Sequence, residues 1–221
     1  MKNESIYLHH REIGIKTLGP GERYVLWVQG CTHNCKGCIA PETHSLTTGG
    51  YWFEIKKILE EISYKNNLRG ITISGGEPFL QAEKLIFLLK KLKKKKLDVI
   101  CYTGFLYEDI LKNKIPFGKE LLKYIDILID GKYNEELNTG SYLRGSDNQR
   151  ILHLKNTYKK YEKEMNSLKN RNVEIKIIDE KTLFIAGIPP LKLNEDWNEI
   201  SKKIYKQGED RKWVEEKNQK Y

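Results

Sequence analysis

Three cysteines share one short run, Cys31, Cys35 and Cys38, spaced Cys-x3-Cys-x2-Cys. A cubane [4Fe-4S] cluster held wholly by protein takes four thiolates, so three leave one iron without a protein ligand. An open iron beside a bound organic molecule is a catalytic arrangement, for the reason that catalytic zinc sites keep a position vacant. The same thiols suit structural zinc, with His33, His44 or Cys101 as fourth ligand, although the second ligand pair usual in zinc sites is missing. A disulfide framework fits poorly with four cysteines in 221 residues. Spacing alone prefers the open cluster and leaves zinc standing as its rival.

A second run, Gly75-Gly76-Glu77-Pro78, follows a β-branched stretch and opens a helical one. Paired glycines let a backbone approach a ligand closely and leave amide N–H groups free to bond it. The Glu77 carboxylate can bind an ammonium group. Taken alone, these residues could equally be a helix start with proline in its first turn.

The elements that must position these runs are legible as apolar patterns. Strands are expected over 24–28, 70–74, 99–102 and 126–129, and amphipathic helices over 52–62 and 80–92, with short helices over 107–111 and 121–124. Strand–helix–strand repetition implies an α/β fold with a parallel sheet covered by helices. Functional loops in such sheets leave the C-terminal strand ends. The cysteines, Gly75-Gly76-Glu77-Pro78, Thr103-Gly104 and Asp130-Gly131 all fall there, so they should meet on one rim. Beyond residue 155 the pattern changes to a charged helix over 158–168, a hairpin around Asp179-Glu180-Lys181 and a basic amphipathic helix over 197–217. Residues 1–155 therefore read as a core, and 156–221 as a C-terminal extension packed on the same domain.

Composition excludes several functions. A hydrophobic fraction of 39% and a charged fraction of 31% describe a polar-surfaced globule. The best apolar stretch, 85–89, is far too short to span a membrane, and the N-terminal residues lack the apolar core of a signal peptide. Free thiolates suit a reducing cytoplasm. The net charge is +9, concentrated in the lysine run 90–96, which reads as a solvated helix end where cations suit the dipole. No aromatic residue interleaves it as a single-strand binding platform would need, so neither nucleic acid nor membrane is an expected partner.

Together the cysteine loop and the Gly-Gly-Glu-Pro run resemble the radical S-adenosylmethionine superfamily. The resemblance implies a partial (β/α) barrel in which Cys31, Cys35 and Cys38 hold a [4Fe-4S] cluster and S-adenosyl-L-methionine chelates the open iron. It implies Gly75, Gly76, Glu77 and Pro78 as contacts of that cofactor, with Thr103 at a neighbouring strand end. Most members carry an aromatic residue just before the third cysteine, where Gly37 stands here. Gly19-Pro20-Gly21-Glu22-Arg23, Val28-Gln29-Gly30-Cys31, Cys101-Tyr102-Thr103-Gly104, Ile129-Asp130-Gly131 and residues 144–150 are similar to the activating proteins of anaerobic ribonucleoside-triphosphate reductase. That subgroup, which tolerates the glycine, implies an enzyme that splits S-adenosylmethionine reductively to a 5′-deoxyadenosyl radical and so makes a glycyl radical on its partner. A low-potential donor such as flavodoxin or ferredoxin would supply the electron.

Other candidates attach to this reading. Asp130 would hold a monovalent cation near the cofactor carboxylate, or cap a turn. Arg144, Asn148, Gln149 and Arg150 would touch cofactor or partner. Cys101 reads as a small core residue, and His33 as solvent-facing rather than coordinating. Rival functions are a compact radical enzyme acting on another glycyl radical enzyme, a peptide or a small molecule, and an iron–sulfur electron carrier.

Overall fold

The computed structural model describes residues 4–168, 171–177, 183–191 and 193; the helix expected over 197–217 lies outside the described residues. Seven strands form one sheet: β1 (Ser5–Ile15), β2 (Arg23–Val28), β3 (Tyr51–Glu54), β4 (Gly70–Gly75), β5 (Asp98–Thr103), β6 (Ile127–Asp130) and β7 (Arg150–His153). Their spatial order is β3-β1-β2-β4-β5-β6-β7. The pairs β2–β4, β4–β5 and β5–β6 are parallel, while β1, β3 and β7 join antiparallel. The α/β architecture is therefore present, but its sheet is mixed.

The strands foreseen in sequence are the central parallel ones, buried on both faces and so written as continuous apolar runs. β1 escaped notice because His9, His10, Arg11 and Glu12 break its alternation; half-exposed near the sheet edge, it tolerates them. The helix expected over 52–62 begins later, as α1 (Ile55–Tyr64), because residues Tyr51, Trp52 and Phe53 pair with Leu8, Tyr7 and Ile6 as β3. Aromatic side chains favour that pleated, half-buried setting. Helix α2 (Ala82–Leu92) follows a 3-10 turn at Pro78–Gln81, and short helices α3 (Tyr107–Leu111) and α4 (Gly118–Leu122) complete the parallel part.

Side-chain alternation divides the core in two. Tyr24, Leu26, Ile71, Ile73, Cys101 and Leu128 face α1, α2 and α4, packing on Ile58, Leu85, Leu88 and Leu121. On the opposite face Ile100, Ile127 and Ile129 meet Tyr158 and Met165, the latter on α5 (Glu162–Ser167). Beside them Val25 and Trp27 meet Phe184 and Ala186. These last two lie on β9 (Leu183–Gly187), which pairs antiparallel with β8 (Val173–Ile177). Residues beyond 155 thus cover the sheet face that the helices leave bare. One compact unit runs Met1–Ile188 and a second Pro189–Tyr221.

At the N-terminal strand ends sits a buried polar knot. Arg23, wholly buried, donates from Nη2 to Asp98 Oδ1 (2.6 Å) and from Nε to Thr72 Oγ1 (2.6 Å). Asp98 Oδ2 accepts from the Tyr158 hydroxyl at 2.6 Å and lies 3.1 Å from Arg69 Nε. Buried charges persist only when paired and hydrogen-bonded in this way.

Candidate functional site

At the opposite, C-terminal ends of the parallel strands, backbone bonds draw the loops together. After β2, Gly30 N–H donates to Thr43 O (2.8 Å) and Cys31 N–H to His44 O (3.0 Å), closing the cysteine loop on its return segment. The buried Gln29 amide fastens that segment through Glu42 O (3.1 Å) and Ser45 O (3.0 Å). After β4, Gly76 N–H donates to Val28 O and Glu77 N–H to Gly30 O, both at 2.8 Å. The cysteine loop and the Gly75-Gly76-Glu77-Pro78 loop are thereby one hydrogen-bonded unit.

This contact revises the role read into the two glycines. A Cβ on Gly76 would approach Gly30 O to 2.3 Å, and one on Gly75 (φ +95°) would approach Val28 N and O to 2.6 Å. The close neighbour that excludes side chains is the protein's own backbone, the end of β2 for Gly75 and the cysteine loop for Gly76. The Gly76 amide, expected to be free for a ligand, is already taken by Val28, and the Glu77 amide by Gly30. Pro78 is buried at the start of the 3-10 turn, which Glu77 caps by accepting from Phe79 N–H at 2.9 Å. The helix-start alternative read from the sequence is therefore present in these residues.

Glu77 is the centre of the rim. Its side chain is fully buried. Besides Phe79 N–H, Oε1 accepts from the Thr103 hydroxyl at 2.8 Å, and Oε2 accepts from Gly104 N–H at 2.8 Å. The fourth partner is His33 Nε2, 2.7 Å from Oε2. Thr103 thus supports Glu77 from behind. His33 is not solvent-facing as expected: its side chain is 7% exposed, with its ring edge-on to Phe105 at 4.6 Å. The only hint in sequence was its place between Cys31 and Cys35, which the pull of a buried carboxylate turns inward.

Cys31, Cys35 and Cys38 are half-buried free thiols on this loop, while Cys101 is buried in the core as expected. Burial pushes the Cys31 and Cys38 thiols up, so they hold their protons until a metal displaces them. Among the described residues no three His, Cys, Asp or Glu side chains are gathered where a single metal ion could sit. Thiolates that each take a different iron of a cubane stand further apart than ligands sharing one ion. Three free thiols on one glycine-containing loop are a donor set that fits the cluster.

Further along the rim the remaining candidates separate. Arg150 donates from Nε to Asp130 Oδ1 (2.9 Å) and from Nη2 to Asp130 Oδ2, while Tyr107 N–H also donates to Oδ2 (2.8 Å). The charge that neutralises buried Asp130 is therefore the Arg150 guanidinium, which also grips Glu108 (2.8 Å) and draws its carboxyl down to about 2. Gln149 and Asn148 donate to Gly131 O (2.9 Å) and Lys132 O (2.7 Å), tying the segment to the loop after β6. Arg144 points elsewhere, to Gln149 O (3.4 Å) and Asn166 O (3.3 Å). Glu135, which the sequence did not single out, lies across Gly37: a Cβ there would meet its Oε1 at 2.6 Å. Beside it opens a cleft of about 350 Å³ lined by Lys36, Lys132, Tyr133, Glu136 and Asn148 among others, within the size range of small-molecule sites.

Comparison with known proteins defines the class first. Residues 17–152 match the family model described as a 4Fe-4S single cluster domain. Within that class, a protein of Enterobacteria phage T4 is 37% identical over 139 residues, covering 60% of this chain and 85% of its own length. Those of Vibrio cholerae (35% over 143 residues; 61% and 89%) and Haemophilus influenzae (34% over 143 residues; 61% and 89%) are similar. Each is an anaerobic ribonucleoside-triphosphate reductase-activating protein, and the chain belongs to that family of activating enzymes. Its cofactors are an iron–sulfur cluster and S-adenosylmethionine. No helix among the described residues is long and apolar enough to cross a membrane.

Proposed function

We propose that the chain generates a glycyl radical on an anaerobic ribonucleoside-triphosphate reductase, by radical S-adenosylmethionine chemistry on an open, partial (β/α) barrel. The observation that carries this reading is the joining of the cysteine loop to a buried carboxylate, Glu77, through Gly30, Gly76 and His33. An electron carrier needs no such acceptor beside its cluster.

Cys31, Cys35 and Cys38 would hold three irons and leave the fourth to the amino acid end of the cofactor. Glu77 would receive the cofactor's ammonium group, and Thr103 and Gly104 fix the carboxylate for it. When bound, the two cofactors supply a low-potential electron and, from it, the 5′-deoxyadenosyl radical that takes a hydrogen atom from glycine. The Asp130–Arg150–Glu108 pairing holds the loops after β5 and β6 against β7, and in this reading no monovalent cation is required there. The cleft beside Lys36 and Glu135 gives the partner's glycine-bearing segment an approach to the cysteine loop. A flavodoxin or ferredoxin would reduce the cluster.

The test is anaerobic incubation of reduced, reconstituted protein with S-adenosylmethionine and a purified reductase, read by electron paramagnetic resonance. A glycyl radical is expected with the wild-type chain and with Cys101→Ser, and none with alanine at Cys31, Cys35 or Cys38, which should also lose iron. Stoichiometric zinc in place of iron, or a full cluster that yields no radical on any reductase, would sink the reading.

A further inference from the structure

His33 and Glu77 present a problem of valence. A carboxylate offers about four lone-pair positions. On Glu77 all are in use: Phe79 N–H and the Thr103 hydroxyl on Oε1, Gly104 N–H and His33 on Oε2. A cofactor ammonium can bond Glu77 only if one of these four donors leaves.

Three of them cannot leave cheaply. Phe79 N–H belongs to the turn that Glu77 caps, Thr103 closes β5, and Gly104 follows it directly. Their positions are fixed by the sheet and by the helix behind it. His33 comes from a segment without helix or strand that is not anchored directly to β4 or β5, and it reaches across from the cysteine loop. Its ring nitrogen must carry a hydrogen where it faces a carboxylate oxygen. The slot it fills has firm walls: Gly104 is so close that a Cβ there would stand 2.4 Å from the ring, and Phe105 closes another side. Emptied of imidazole, the slot would present a carboxylate and an aromatic ring to a small cation, the chemistry that suits an alkylammonium.

We infer that His33 is the resident ligand of the ammonium subsite, which S-adenosylmethionine must displace from Glu77 in order to bind. This rests on the reading of Glu77 as the ammonium acceptor given above. Because His33 lies between Cys31 and Cys35, its release moves the loop that carries the cluster at the moment the cofactor arrives. Cofactor occupancy and cysteine-loop position are coupled by the exchange of one hydrogen bond.

The experiment is equilibrium dialysis of S-adenosylmethionine against the anaerobically reconstituted, unreduced protein, with iron per chain measured on the same samples. His33→Ala removes the competitor and leaves the slot open. It should keep the wild-type iron content and bind the cofactor ~10-fold more tightly, the worth of one hydrogen bond to a charged group. His33→Phe loses the same N–H group but leaves a ring in the slot, so its gain should be smaller than that of His33→Ala. Equal or weaker binding by an iron-replete His33→Ala protein would overturn the proposal, making His33 part of the cofactor's site. Loss of iron in both variants would also overturn it, making His33 a prop for the cysteine loop. A wild-type protein that holds its full iron but binds no cofactor would instead sink the reading of Glu77.

Discussion

Two buried carboxylates, Asp98 at the N-terminal ends of the parallel strands and Glu77 at the C-terminal ends, are treated differently. At the N-terminal end Asp98 faces two guanidiniums, Arg23 and Arg69, and the Tyr158 hydroxyl. These cations never lose their charge, and Tyr158 arrives from the segment beyond β7, so the knot staples that segment to the sheet. At the C-terminal end Glu77 is held by a hydroxyl, two backbone amides and one histidine. Among the described residues no lysine or arginine bonds it. A carboxylate matched by permanent charge has no business left with a ligand. One held by neutral dipoles and a removable imidazole can still take a cation. The difference separates Asp98 from Glu77, and in the reading proposed above it is Glu77 that stays open to a cation.

The comparison is broken most directly by removing each acid. Asp98→Ala strands the wholly buried Arg23 charge, and should destabilise the protein by about 3–5 kcal/mol in urea denaturation. A loss below about 1 kcal/mol would show that the knot is not the staple described here. Tyr158→Phe removes a neutral donor from the same knot and should cost about 1–2 kcal/mol by the same measurement. Glu77→Gln keeps shape and some acceptor capacity, so its stability loss should be of similar size, about 1–2 kcal/mol. Unlike the knot variants, it should abolish detectable S-adenosylmethionine binding in dialysis while iron content stays near wild type. If Asp98→Ala lost cofactor binding at wild-type stability, the two roles would be reversed.

The same contrast sharpens an expectation for glycine. Gly76→Ala places a methyl on Gly30 O, at the joint between the two rim loops. Iron content and cofactor binding should fall together, measured by iron assay and dialysis on one sample. A variant that kept its full cluster and lost only the cofactor would restore the view of Gly76 as a ligand contact.

The smallest effect is one of pH. His10 lies against Phe184 (4.3 Å) with Glu12 3.8 Å away, beyond hydrogen-bonding reach, and burial lowers its affinity for a proton. Burial does the same to His153. A base whose folded pKa is depressed binds more protons when unfolded, so it costs no stability above its unfolded value of about 6.5. Stability should therefore be level above pH 6.5 and decline as pH falls from there towards 5, followed by thermal unfolding. His10→Phe should flatten part of that slope; an unchanged slope would assign the titration to other groups.

The sequence by itself determined the central parallel strands, the helices that cover one face, and the gathering of Cys31, Cys35 and Cys38 on one loop. Those features are local: a fully buried strand must be apolar throughout, an amphipathic helix must repeat, and thiolate spacing follows from one loop. It also showed that Glu77, Thr103 and Asp130 stand at strand ends on a common rim, because parallel order alone dictates that. Tertiary structure decided what each of them meets. β1, next to the sheet edge, carries charge and the edge strand β3 leads into a helix, so their pairing is visible only across the sheet. Gly76 is a glycine because Gly30 O lies against it, His33 turns inward because Glu77 is buried beneath it, and Asp130 meets Arg150 because β6 and β7 run side by side. Each of these contacts joins residues distant in the chain, and a buried charge is answered by whatever donor the fold brings to it rather than by its neighbours in sequence.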